Sequence, residues 1–507
     1  MPKGAWLPRR VAILGFARSG QALARALAER GVAIAVGDAK PRSAFPESAV
    51  AGLEAAGARF FFDGPSGDFL ERAQWLALSP GVSLMSPLVL AARRLAITVL
   101  AETEIAWRIA EGEAQGKNRW VAITGTNGKS TTTAWIAEIL QRAGRPVALA
   151  GNIGVPLSAF LSDRSPRDFV CEVSSFQLEA IERFAAHVAV LTNITPDHLD
   201  RHEGFGDYVR VKKRIFENQR PQDFAVLNAD DAASRPILTR ARSVAFSRVE
   251  RVPGGAWVEG GSLVSEIAGA RRPIVSRRDL ALPGAHNLEN ALAALAAADC
   301  LSAPAEAIAA GLKNFRGLPH RTELVAQAAG VAWVNDSKGT NVDATKKSLE
   351  GFPGGSVILI LGGRDKHGDF LALAPAVARA AREVLTIGEA AALIETALAG
   401  IVPVERAGSM DRAVERAAAL ARAGDTVLLS PACASFDQYA NYEERGDHFA
   451  ALAREVAGLG TRDSNHERLP RPASRVPRPE ESTWLVSSLP TKCSSWRSWR
   501  CRSLAAS

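Results

Sequence analysis

Along the first hundred residues, short unbroken apolar runs alternate with stretches whose apolar positions recur every three to four residues. Residues 11–14 are one such run, ending in the turn Gly15-Phe-Ala-Arg-Ser-Gly20. Residues 21–29 (QALARALAE) carry a helical repeat, and residues 32–36 form a second apolar run that leads to Asp38. Strand, glycine turn, helix and strand are one half of a nucleotide-binding α/β sheet. The polar segment 111–117 (EGEAQGK) predicts a linker. The alternation then resumes, with strands predicted at 120–124, 147–150, 168–173, 188–191 and 225–227 and an alanine-rich helix over 284–298. Gly317-Leu-Pro-His320 punctuates the chain a second time. Beyond it come predicted strands at 331–334, 357–361, 384–387 and 426–429 and a predicted helix over 371–380. The pattern is α/β with three domains: a Rossmann-like N-terminal domain (1–111), a central phosphate-loop ATPase domain (112–317) and a Rossmann-like C-terminal domain (318–460). Residues 461–507 lack periodicity and predict a disordered basic tail.

A length of 507 residues suits several cores rather than one. Apolar residues make up 47% and charged residues 23%, which is ordinary for a soluble protein. No uninterrupted apolar stretch reaches the roughly 18 residues of a membrane span, so no stable membrane insertion is expected. The start of the chain has no long apolar segment of the secretory kind, and the expected compartment is the cytoplasm. Five scattered cysteines fit a reducing compartment and form no metal-ligand spacing. The net charge of +7 is concentrated in residues 461–507, which hold nine Lys/Arg against four Asp/Glu. A nearly neutral body with a basic tail argues against nucleic acid as a partner.

The strongest chemical signal is Thr124-Gly-Thr-Asn-Gly-Lys-Ser-Thr131, between a predicted strand and a helix. Glycines let successive backbone N–H groups face a phosphate, and the helix adds its positive end. Thr126, Asn127, Gly128, Lys129, Ser130, Thr131 and Thr132 are the expected ATP contacts. Among them Lys129 would reach the β/γ-phosphates and Ser130 would hold Mg²⁺. The spacing departs from the common phosphate-loop pattern, since the first glycine lies three residues before Gly128 rather than five. Glu172, ending a strand in CEVSSFQL, is placed for a second ligand to Mg²⁺, and His198 lies in the acidic loop NITPDHLD. In the first turn Ala17 replaces the glycine that lets a pyrophosphate approach, which disfavours NAD. Ser19 and Asp38 remain candidates for a nucleotide-sugar substrate.

Taken in order, GTNGKST (125–131), EVSSFQLE (172–179), NITPDHLDR (193–201), YVRVKKRIFEN (208–218), HNLEN (286–290), GLPHRTE (317–323), NDSK (335–338) and SPACASFDQ (430–438) resemble the Mur ligase family. The similarity spans about residues 10–459. It implies ATP-driven addition of D-glutamate to UDP-N-acetylmuramoyl-L-alanine through an acyl phosphate, in cytoplasmic peptidoglycan precursor synthesis. It also implies two Mg²⁺ sites, one on Ser130 and Glu172 and one on His198 and Lys212, with Lys212 carbamylated. Lys129, His198 and Lys212 become the catalytic set. By the same resemblance Asn287, Asn290, Arg321 and Asp336 line the nucleotide, and Asn152 faces the substrate. Lys338, Thr340, Lys366, Ser435 and Phe436 then make the D-glutamate pocket, where two lysines suit a dicarboxylate. Sister ligases for other amino acids remain rivals, although the Asp-Asn-Pro-Arg signature of the diaminopimelate or lysine adder is absent here. A phosphate-loop kinase or switch, and a non-catalytic relative, are the alternatives from other classes. Joining the substrates implies closure of the third domain about residues 317–321.

Overall fold

Parallel strands covered by helices on both faces must be apolar throughout, and the unbroken runs of this chain become such strands. The computed structural model describes residues 7–458 except 153, 198–200, 283 and 366–367. The described residues all fall in the first of two units of the chain, Met1–Leu469. The tail expected to be disordered lies outside the described residues.

The first unit holds three sheets. The first contains β1 (Arg10–Leu14), β2 (Ala33–Gly37), β3 (Arg59–Phe61), β4 (Trp75–Leu78) and β5 (Thr98–Ala101) in the order β3-β2-β1-β4-β5, all parallel. The strand order reverses at β1, and the crevice at such a switch point is where ligands enter open α/β sheets. The second has nine strands: β6 (Arg119–Thr124), β7 (Val147–Gly151), β8 (Asp168–Glu172), β9 (Val188–Leu191), β10 (Phe224–Asn228), β11 (Arg242–Ser247), β12 (Ala256–Glu259), β13 (Ser262–Ser265) and β14 (Arg272–Ser276). Their order is β14-β13-β12-β11-β10-β9-β6-β8-β7, parallel except for the antiparallel ribbon β12-β13-β14. The third runs β15-β16-β20-β17-β18-β19, with β15 (Glu323–Ala328), β16 (Val331–Asn335), β17 (Val357–Gly362), β18 (Ala381–Ile387), β19 (Val404–Gly408) and β20 (Thr426–Leu429). Only β15 is antiparallel there.

Two expectations change. The polar stretch 111–117 opens as helix: Glu102–Ala114 takes in residues 111–114, and Gln115 follows in the left-handed region. Its charged side chains are engaged, because Glu111 accepts from the Trp120 indole at 2.7 Å and Glu113 pairs with Arg30 at 2.7 Å. The helix expected over 371–380 begins only at Ala374, after a 3₁₀ turn at Phe370–Leu373. Pro375 lacks an N–H and fits the first turn of a helix, so it sets that start.

The cores divide unevenly. One apolar cluster contains Val11, Ile13, Ile105 and Ile109 together with Trp120, Phe169, Phe184 and Leu191, so the first two sheets share an interior. Buried Glu104 reinforces this by accepting from the backbone N–H groups of Glu182, Arg183 and Phe184 at 2.8–3.1 Å. The third sheet has two clusters of its own, drawn only from residues after 324. Among the described residues no helix is long and apolar enough to cross a membrane.

Candidate functional site

The central strand β6 ends at Thr124, and the chain turns through Gly125–Gly128 into the helix Lys129–Arg142. Gly128 caps that helix at φ +79°, a conformation that favours glycine. A Cβ there would also run into Oδ1 of Asn290. Free N–H groups of the first helical turn therefore face the loop, which is an anion-binding geometry. Ser130, Thr131 and Thr132 are buried in that turn. Thr132 donates to Asn290 Oδ1 at 3.3 Å, and Asn290 Nδ2 donates to Asn287 Oδ1 at 3.4 Å. Both asparagines lie on the helix Ala285–Cys300, so the structure brings them beside the loop.

The end of β9 holds the loop in shape. Asn193 accepts from Thr126 N–H through its carbonyl at 2.8 Å and from Asn127 N–H through Oδ1 at 3.0 Å. Its Nδ2 returns a bond to the Asn127 carbonyl at 3.1 Å, and Thr192 donates to the same carbonyl at 2.6 Å. The Thr126 hydroxyl donates to the Thr195 carbonyl and accepts from the Thr195 N–H, each at 3.0 Å.

Two lysines reach the loop carbonyls. Lys129 donates to the Thr126 carbonyl at 2.9 Å, and Lys212 to the Gly125 carbonyl at 2.7 Å. Lys212 is 1% exposed, with its amine 4.5 Å from the centre of the Tyr208 ring. Burial, joined by the Lys129 cation, pushes the Lys212 amine down to about 7 against the pull of Asp197 and Glu172. Burial also lowers Lys129; Glu172 and Asp197 oppose this, while Arg321 and Lys347 add to it.

Glu172 ends β8 beside these lysines. Its Oε1 accepts from Asn152 Nδ2 at 2.8 Å, while Oε2 is buried with no hydrogen-bond partner among the described residues. Leaving a carboxylate oxygen stranded is costly unless a cation meets it. Glu172 and the Ser130 hydroxyl supply oxygen ligands of the type Mg²⁺ takes, so the residues fit that ion. His198 lies outside the described residues; the nearest described residues after it, Arg201 and His202, are held by side-chain contacts. Arg201 pairs with Glu179 and bonds the Val82 carbonyl, each at 2.9 Å, and the buried His202 ring meets Ser175 Oγ at 3.1 Å.

From the third sheet, Asp336 is buried, accepting from Ser430 Oγ at 2.8 Å and from Thr322 N–H at 3.2 Å. Burial raises its carboxyl to about 6. Lys338 lies 5.7 Å from the Tyr442 ring centre and is lowered by burial, with Arg321 adding and Glu172 opposing. Asp336 and Lys338 therefore share surroundings with Arg321, and Thr340 follows in the same loop, its N–H on the Lys338 carbonyl at 2.8 Å. Ser435 is buried and Phe436 is 62% exposed; Lys366 lies outside the described residues. In the first sheet, Asp38 accepts from Phe16 N–H at 2.7 Å and Lys40 N–H at 2.9 Å, which fixes the turn after β1. Ser19 is half-buried in the first turn of the helix Arg18–Ala28.

The profile of the Mur ligase middle domain matches residues 123–298, and that of the Mur ligase glutamate ligase domain matches 320–433. The UDP-N-acetylmuramoylalanine–D-glutamate ligase of Pelotomaculum thermopropionicum is 44% identical over 450 residues, 88% of this chain and 97% of that protein. The enzyme of the same description from Acidobacterium capsulatum is 43% identical over 88% of this chain and 96% of its own. The chain belongs to the Mur ligase family. As a Mur ligase it shares its fold with the UDP-N-acetylmuramate–alanine ligase of Thermotoga maritima, at 19% identity and a TM-score of 0.55 over 88% of this chain and 99% of that one.

Two polar residues of this Mur ligase site were not picked out from sequence. Asn193 lies in a motif noted only for its histidine, and its position just past a buried strand was the available signal. Lys347, on the helix Val342–Glu350, donates to Asn127 Oδ1 at 3.0 Å across more than two hundred residues of sequence. No local pattern marks such a contact.

Proposed function

We propose that this Mur ligase joins D-glutamate to UDP-N-acetylmuramoyl-L-alanine at the expense of ATP, as a cytoplasmic step in peptidoglycan precursor synthesis. The observation that carries the reading is the near end-to-end match, at 43–44% identity, to ligases described by that reaction.

A carboxylate is a poor electrophile. One of its oxygens attacks the γ-phosphorus of ATP, ADP leaves, and an acyl phosphate results. The D-glutamate amine then adds to the acyl carbon, loses a proton, and expels inorganic phosphate from the tetrahedral intermediate. Such steps depend on charge stabilisation rather than on a protein nucleophile. We assign the N–H groups of the first turn of the helix Lys129–Arg142 and the Lys129 amine to the phosphates. Asn287, Asn290, Arg321 and Asp336 are assigned to the nucleotide, and Ser19, Asp38 and Asn152 to the UDP-substrate. Lys338, Thr340, Lys366, Ser435 and Phe436 are assigned to D-glutamate. Ser130 and Glu172 would hold one Mg²⁺, and His198 with Lys212 a second; when bound, these ions neutralise charge on the transferring phosphoryl group. Residues 1–111, 112–317 and 318–460 are the corresponding substrate, ATP and amino-acid domains.

Lys212 would act as a carbamate, formed when its neutral amine adds to carbon dioxide and releases a proton. An ordinary lysine is roughly 0.4% neutral at pH 8, whereas burial moves Lys212 to about 7 and leaves most of it neutral there. Native mass spectrometry would find an adduct of one carbon dioxide, lost on acidification and absent from Lys212→Ala.

The test is phosphate release from ATP by purified protein with UDP-N-acetylmuramoyl-L-alanine, bicarbonate and a panel of amino acids. Release that requires D-glutamate and yields one new amide is the expected result. Release with a different amino acid would keep the ligase chemistry and overturn the specificity, and no release would overturn both.

A further inference from the structure

The third sheet buries a guanidinium that the assignments above do not use. Arg445 lies near the start of the helix Tyr442–Val456 and is 1% exposed. Among the described residues no carboxylate pairs with it directly. Its Nε donates to Ser337 Oγ at 3.0 Å and one terminal nitrogen to the Ser337 carbonyl at 2.9 Å. The terminal nitrogens also reach the Cys433 and Ala434 carbonyls, each at 3.2 Å. A third segment comes up against it at Gly363, where an added Cβ would stand 3.1 Å from the guanidinium. Gly363 and its neighbour are tied in as well, since Arg364 and Ala434 exchange backbone bonds at 2.9 and 3.0 Å.

The two segments that it bonds lead directly into Lys338 and Thr340 and into Ser435 and Phe436. One rigid planar donor thus holds the bases of both loops, each assigned to the amino-acid substrate, and packs against the chain at Gly363. A buried cation held by hydroxyl and carbonyl oxygens alone is costly in isolation, and here its cost maintains a shape at a pocket meant for a dianion. We infer that Arg445 is the positioning residue that sets the geometry and positive field of the D-glutamate pocket without touching the substrate. The inference rests on the proposed function.

The experiment compares the parent enzyme with Arg445→Met, Arg445→Lys and Ser337→Ala, varying each of the three substrates in turn. Melting curves and binding of an ATP analogue report the folded fraction. Expected is a rise in the KM for D-glutamate of about 10-fold or more in Arg445→Met and of about 3-fold in Ser337→Ala. The KM for ATP should stay within about 2-fold of the parent, and Arg445→Lys should recover part of the loss. Equal changes in all three KM values, or an unchanged D-glutamate KM in the folded variants, overturn the inference. If Arg445→Met does not fold, Arg445→Lys and Ser337→Ala decide: a D-glutamate KM within about 2-fold of the parent in both refutes it. A parent that does not turn over with D-glutamate fails the proposed function first, and this inference with it.

Discussion

Replacing Asp336 by asparagine should stabilise the protein at neutral pH while damaging its activity. Burial raises the Asp336 carboxyl from 3.8 to about 6, so the folded state holds a proton that the unfolded chain releases more readily. The group therefore favours folding at acid pH, and that contribution is lost as pH rises through about 6. Once it is fully ionised, keeping this carboxylate buried costs about 3 kcal/mol relative to the unfolded chain. Asparagine keeps an oxygen for the Thr322 N–H and turns its amide toward Ser430, whose hydroxyl can rotate to accept. Allowing about 1 kcal/mol for poorer hydrogen bonds leaves a gain of about 2 kcal/mol. For a unit of this size that is a rise of about 2 °C in melting temperature. Scanning calorimetry at about pH 7.5 and about pH 5 reads both the gain and its fall to well under half at the lower pH. An Asp336→Asn protein no more stable than the parent at neutral pH, or with an unchanged advantage at about pH 5, would refute the reasoning.

Three further outcomes follow from contacts at and around the site. Gly128→Ala forces a left-handed alanine into Asn290, so ATP-analogue binding measured by calorimetry should weaken by at least about 10-fold. Glu104→Ala strips three backbone N–H groups and Arg108 of their acceptor, so chemical denaturation should show a loss of about 3–5 kcal/mol. The KM for D-glutamate in that variant should not change. Lys347→Ala removes the cation that reaches Asn127, so the KM for ATP should rise by about 10-fold, with Lys347→Arg close to the parent.

The alternation of apolar runs and helical repeats placed the central parallel strands to within a residue or two. It did so because parallel strands buried on both faces leave a continuous apolar signature, as 357–362 shows with every position buried. The ribbon β12-β13-β14 was not predicted: its strands are four or five residues long, and glycine pairs at 254–255 and 260–261 read as loop. The linker expectation at 111–117 missed that residues 111–114 are helix, because polarity does not distinguish a free segment from a helix whose charges meet distant partners such as Arg30 and Trp120. At the site, the phosphate loop was legible because its glycines, lysine and hydroxyls are contiguous. Lys347 and Arg445 were not, since their partners come from elsewhere in the chain. The individual side chains of 198–200 and 366–367, among them two expected site residues, fall outside the described structure.

The unequal division of the interior carries a consequence for how such an enzyme can diversify. The segments assigned to the nucleotide sugar and to ATP are fused through common packing, so a change in either is felt by both. The segment assigned to the incoming amino acid is packed by itself, like a cartridge clipped to a fixed chassis. Substitutions there can retune which amine is accepted while the machinery that activates the carboxylate keeps its shape. On the proposed assignment, grafting residues 318–460 from a ligase with a different amino-acid preference should transfer that preference and leave acyl-phosphate formation intact.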